Sequence, residues 1–155
     1  MIDDDDSSRV QVYRMPQHGS ISGLPDGPGV YFVRMFTEDM MLTGPIKVGV
    51  SDNMRKRVAG LDGMLPWRLS VIGWASGTRD DEQRIHERLW RHRLNGEWFR
   101  ADDEVIRILA ECSEHGVQMA IRRSYEAQKA MASIRQVPPF IQALAVDATW
   151  RLDCT

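Results

Sequence analysis

Short apolar runs separated by turn-forming breaks dominate the first two thirds of the chain. Gly29-Val30-Tyr31-Phe32-Val33 opens a β-branched and aromatic run that predicts a strand over 29–36, launched by the turn Asp26-Gly27-Pro28. Ile46-Lys47-Val48-Gly49-Val50 predicts a second strand. The loop over 37–45, ending in Gly44-Pro45, is short enough to make the two an antiparallel hairpin. Residues 68–75 predict a third strand. Helical spacing appears between these runs. Met54, Arg57, Val58 and Leu61 recur at threes and fours, which predicts a helix over 53–62, capped by Ser51 or Asp52 and ended by Gly63. Thr78 caps a helix predicted over 79–94, with an inward stripe of Glu82, Ile85, His86, Leu89, Trp90 and Arg93. Asn95-Gly96 closes it, and Glu97-Trp98-Phe99 is expected as an extended link whose two aromatics close the core. Asp102 starts a helix to about 114, with Val105, Ile106 and Leu109 inward.

Three regions follow. Residues 1–27 read as an arm, partly disordered, in which Val10 to Met15 could form a short strand before Pro16 and a series of glycines and prolines. Residues 28–114 carry the strands and helices of an α+β domain. Residues 115–155, set off by His115-Gly116, form a helical extension: one helix over 117–135, a break at Pro138-Pro139, and a last helix over 140–149. Met119, Ile121, Tyr125, Met131, Ile134 and Phe140 give this extension apolar surface, either to pack back on the domain or to oligomerise. An appendage this short cannot form its own core, which favours packing back.

The length of 155 residues suits one compact domain with a modest appendage. No run of about 18 apolar residues exists, so no membrane-spanning helix is expected. Met1 to Ser8 is acidic rather than basic and apolar, unlike a secretory signal, so an intracellular protein is expected. Cys112 and Cys154 fall in no metal-binding pattern and read as free thiols. The net charge of −2 argues against a constitutive nucleic-acid coat. Charge is uneven, however: Lys47, Arg55, Lys56, Arg57 and Arg68 against Asp52 and Asp62 leave 47–68 at +3. Such a surface can meet phosphate. Arg55, Lys56 and Arg68 are its candidate nucleic-acid contacts.

The candidate chemistry lies on the same elements. Glu82 shares a stripe with Ile85 and Leu89, where a lone carboxylate is costly. Its partner is either a cation such as Arg57 or a divalent metal of the magnesium type, which accepts one or two carboxylates plus phosphate and water. His86, four residues on, shares its face and is either a packed helix histidine or a group that moves a proton or places a phosphate. No second histidine, cysteine pair or HExxH pattern makes a zinc site. Tyr31 points opposite to Val30 and Phe32. A phenol needs a basic neighbour to accept or relay a proton, and Lys47 on the next strand could supply one. Arg57 could hold a phosphate through two hydrogen bonds. Each of these also has a structural reading, as core tyrosine or solvated cation.

In this order the residues resemble the GIY-YIG endonuclease superfamily. Gly29-Val30-Tyr31 and Lys47-Val48-Gly49 are similar to its paired motifs, Arg57 falls where the superfamily has its arginine, and Glu82 where it has its metal-binding glutamate. Glu82-x-x-Ile85-His86 followed by Gly96-Glu97-Trp98-Phe99 looks most like the branch of phage DNA-binding-type and fungal "meiotically up-regulated" domains. The resemblance covers about residues 28–110. It implies a small three-stranded antiparallel sheet flanked by helices, and one Mg2+ or Mn2+ at Glu82. It also implies hydrolysis of a DNA phosphodiester by activated water, with Tyr31 as base or relay and Arg57 stabilising the transition state. The chain departs from the pattern at Lys47, where the archetype has a tyrosine, and it has no secure match for the usual asparagine; Asn95 is a poor candidate. Glu97 is either an acid that supports the site residues or a structural cap, and the structural reading is favoured. The rival reading is a catalytically inactive module of the same fold that binds DNA or a protein partner, the latter also a possible source of specificity.

Overall fold

The computed structural model describes residues 19–35 and 44–135. The strand expected over Val10 to Met15, the helix over 140–149 and Cys154 lie outside them. Three strands follow the apolar runs: β1 (Gly29–Met35), β2 (Ile46–Ser51) and β3 (Leu69–Ala75). β1 and β2 form the expected antiparallel pair, with Tyr31 opposite Gly49 and Val33 opposite Lys47. β3 lies antiparallel on the other side of β1.

The sheet has five strands rather than three. β4 (Arg93–Asn95) and β5 (Trp98–Phe99) form a hairpin that docks on β2, giving the order β3-β1-β2-β5-β4 with every pairing antiparallel. This corrects the helix expected over 79–94. Its helix stops at Arg88, and Trp90 and Arg93, expected inward, are exposed. After Leu89 has filled the core the chain tightens into a single 3-10 turn over Trp90–His92, and the apolar Trp90 and Leu94 are left exposed rather than forming a buried stripe. The Asn95-Gly96 pair then acts as a hairpin signal rather than a helix stop. Gly96 has φ 53°, a conformation that favours glycine, in the two-residue turn Gly96-Glu97.

The helices otherwise follow their spacing. α1 (Met54–Met64) is capped by Asn53, whose side chain accepts the Lys56 amide, rather than by Ser51 or Asp52, and it runs through Gly63. α2 (Arg79–Arg88) starts at Thr78 in a capping box with Asp81. α3 (Asp103–His115) ends at Gly116, φ 85°. α4 (Val117–Arg135) buries Val117, Ala120 and Ile121, so the start of the extension belongs to the core. The compact unit that carries the sheet runs to Ile121.

Strand alternation divides the core into two layers. Val30, Phe32, Ile46, Val48 and Phe99 pack with Ile85 and Leu89 of α2 and with Val105, Ile108 and Leu109 of α3. Ile106 is only partly buried there. Tyr31, Val33 and Val71 face the other way, against Leu24 and against Met54 and Val58 of α1. Cys112 is a buried free thiol whose pKa burial pushes up to about 12, which leaves it inert.

Polar links tie the end of α2 to α3. The buried Arg88 donates from Nη2 to Glu104 Oε1 at 2.8 Å, and the ring nitrogens of His92 meet Asp102 Oδ2 at 2.8 Å and Glu104 Oε2 at 2.7 Å. The Arg88 hydrogen bond, then that of His92, holds the Glu104 carboxyl below its ordinary value of 4.5. A depressed carboxylate stabilises the fold fully above its ordinary value and loses that contribution as pH falls through the folded one. Glu104→Gln is therefore expected to lower the melting temperature at pH 7. Melting curves recorded down through pH 4.5 should show this deficit shrinking.

Candidate active site

Alternation puts Tyr31 and Val33 on the α1 face of β1, and antiparallel pairing puts Gly49 and Lys47 beside them on β2. The Tyr31 ring lies over Gly49: a Cβ added there would stand 2.5 Å from both Cζ and Oη. The glycine is thus the hollow that lets the ring lie flat on the sheet. Above it, α1 is fixed by the buried Met54 and Val58, and places the exposed Arg57 near the Tyr31 hydroxyl. Burial pushes the phenol above its ordinary pKa, outweighing the lowering influence of the arginine. Tyr31 is a neutral phenol at neutral pH.

Glu82 and His86 reach the same place from α2, by way of the edge of β2. β5 is only two residues long and pairs with Ile46 and Lys47, so the edge of β2 beyond them is open to the helix. His86 Nε2 lies 3.0 Å from the Val48 carbonyl oxygen. A carbonyl only accepts, so Nε2 carries the proton and, in the neutral ring, Nδ1 keeps the lone pair. Two residues along, the Val50 amide faces Glu82 and favours its charged form. Glu82 is only 5% exposed, and burial, followed by the negative charge of Glu97, raises its pKa. His86 and Arg79 oppose that rise. The countercharge suggested by the sequence, Arg57, serves Tyr31 instead.

Lys47 is 7% exposed. Its ammonium pairs with Glu97 and lies 5.8 Å from the centroid of the Trp98 ring. Glu97, for which the sequence favoured a structural cap over a supporting acid, stands beside the candidate residues. Burial alone would raise its pKa. The Lys47 hydrogen bond and the charges of Lys47, His86 and Arg57 overcome this and hold it below the ordinary range. Tyr31 and Glu82 also sense its charge. The available signal was the Asn-Gly hairpin turn, which places the following glutamate against the neighbouring strand.

Tyr31, Lys47, Arg57, Glu82 and His86 are therefore brought together, with Glu97 among them. The three candidate nucleic-acid contacts are placed differently. Arg55 donates to the Leu24 carbonyl at 2.8 Å and to Asp26 at 2.7 Å, fastening the segment before β1. Lys56 is exposed on α1. Arg68 is exposed just before Leu69, at the Met35 end of β1 and away from Tyr31. Among the described residues, no three His, Cys, Asp or Glu side chains gather as a metal-binding group, and Glu82 and Glu97 are the carboxylates in the cluster.

Fold and cluster together define a small α+β domain with a cluster of polar side chains at the edge of β2. Residues 29–114 match the T5orf172 domain, and the chain belongs to that nuclease-associated family. The match begins on the first residue of β1 and takes in every member of the cluster. No curated protein and no solved structure matches the chain significantly. Among the described residues, no helix is long and apolar enough to cross a membrane.

Two substitutions test this geometry. Gly49→Ala drives a methyl group into a packed ring, and should cost about 1–3 kcal/mol in chemical denaturation while displacing the Tyr31 hydroxyl. Glu82→Gln should raise the melting temperature at pH 7. A carboxyl whose folded pKa is raised costs stability once pH exceeds its unfolded value, and the amide removes that cost.

Proposed function

We propose that this domain is a metal-dependent endonuclease of the GIY-YIG type that hydrolyses DNA phosphodiester bonds. The observation that carries the reading is the convergence of Tyr31, Lys47, Arg57, Glu82 and His86, from two strands and two helices, on one edge of β2. A structural ion pair needs two such groups. Five groups around a glycine hollow, with one carboxylate kept buried at a cost, fit a site built for a charged substrate.

The donor set fits magnesium or manganese. Glu82 supplies a hard oxygen, its raised pKa reflects burial and a second negative charge nearby, and such ions need few protein ligands when phosphate and water complete the shell. Bound there, the ion would neutralise phosphate charge and make water more acidic. The rest belongs to the chain. Arg57 and Lys47 bind the phosphate and stabilise the charge that builds on it in the transition state. His86, with its Nε2 proton committed to Val48, offers Nδ1 as the proton acceptor. Tyr31, kept neutral, relays a proton and does not act as a phenolate base. This narrows the two roles expected for it.

Purified protein should cut plasmid or branched DNA only when magnesium or manganese is added. Glu82→Ala should lower the rate by about 100-fold or more, in the range set by loss of one group that stabilises transition-state charge. Because protonation removes the Glu82 charge, the magnesium concentration for half-maximal cutting should rise as pH falls, starting above the ordinary glutamate range. Wild-type protein that cuts no form of DNA, yet binds it with a salt-dependent affinity indifferent to magnesium and to Glu82→Ala, would replace the enzyme with a DNA-binding module.

A further inference from the structure

The Lys47–Glu97 pair joins two elements that the sequence separates by fifty residues. Its geometry is over-determined. The Glu97 carbonyl accepts the Val48 amide at 3.0 Å, fixing the turn against β2. The Glu97 carboxylate then meets the Lys47 ammonium, and the Trp98 ring restrains that ammonium from a second direction. Lysine carries its ammonium on a flexible four-carbon stem, so an unrestrained lysine meets a ligand loosely. Lys47 is instead 7% exposed and held on the face that carries Tyr31. A carboxylate that only capped the β4–β5 turn would sense its own turn. The charge of Glu97 reaches Glu82 and Tyr31 and is stabilised by His86 and Arg57.

We propose that Glu97 is a positioning residue acting through Lys47: its carboxylate holds the ammonium where an oxygen of the scissile phosphodiester meets it. The substrate arrives at a cation already in place, so restraint is supplied by folding rather than by binding. Glu97 leaves one carboxylate oxygen to the rest of the cluster while the other holds the lysine. The inference deepens the nuclease reading and rests on it.

Kinetics and nuclear magnetic resonance on the full chain test it. Glu97→Gln keeps the shape and removes the charge. It should keep the fold with a lower melting temperature at pH 7, as loss of a carboxylate held below its ordinary range requires, and well below that temperature it should lower kcat for magnesium-dependent DNA cleavage about tenfold or more, with KM nearly unchanged. Glu97→Asp, which keeps the charge, should recover part of the loss. Lys47→Met should be at least as impaired, and adding Glu97→Gln to it should cost nothing further, as expected of two residues acting as one unit. Without metal or DNA, the Lys47 ammonium resonance of the wild type should shift on titration with thymidine 3′,5′-bisphosphate. That response should be lost in Glu97→Gln. Wild-type kcat in Glu97→Gln, additive losses in the double variant, or a Lys47 resonance blind to the bisphosphate would each overturn the proposal. If the wild type cleaves no DNA, the nuclease reading fails by itself. The bisphosphate titration then still decides whether Glu97 holds Lys47 for phosphate.

Discussion

The edge of β2 from Val48 to Val50 is the constraint on which the site depends. The Val48 amide donates to the Glu97 carbonyl, the Val48 carbonyl accepts from His86, and the Val50 amide faces the Glu82 carboxyl and favours its charged form. In a strand these groups all project to one side. Most strands inside a sheet give that side to a neighbouring strand. Here β5 ends after two residues, so the remaining backbone groups are left for side chains. Hydrogen bonds to charged groups contribute roughly 1.5–3 kcal/mol each, enough to offset much of what burying a carboxylate costs. A longer β5 would satisfy the same peptides with backbone and push α2 off the edge.

The two core layers divide the labour. The layer under α2 and α3 is apolar and carries the packing: Phe32, Ile85, Leu89, Phe99 and Leu109 are fully buried there. The other layer is thinner and holds Tyr31 beneath α1. Residues on one strand therefore serve opposite ends. Phe32 anchors the sheet while its neighbour Tyr31 turns a hydroxyl to the site. On α2, Ile85 and Leu89 hold the helix down so that Glu82 and His86 reach the β2 edge. Function and stability share the same elements and are separated only by the side of the strand or helix on which a residue falls.

Much of this was legible in the sequence. β1, β2 and β3 followed apolar runs, the cap at Thr78 marked the start of α2, and the spacing of Glu82 and His86 put them on one face. The five candidate residues lie near one another because each sits on a strongly patterned element. The β4–β5 hairpin was not legible, since strands of three and two residues are too short to show alternation. The helix pattern also ran on through Trp90 and Arg93 by coincidence of spacing. The choice between a supporting acid and a structural cap at Glu97 was left open with that hairpin: its place depends on a turn and a strand pairing, not on any period. Arg55 shows the converse. Its charge suggested phosphate, but its hydrogen bonds go to Leu24 and Asp26, whose nearness to α1 is a tertiary fact.

The anchoring of His86 and Glu82 on peptide groups has a consequence for descent. An amide or a carbonyl is supplied by any residue that keeps the strand, so Val48 and Val50 can be exchanged for other strand-forming side chains without moving the groups they hold. Lineages of this domain are then free to diverge along β2 while the geometry at its edge persists. Likeness between distant members should fade along the strand long before it fades in the arrangement of their polar groups. Such members are better compared by the hydrogen bonds that leave the second strand than by the letters along it.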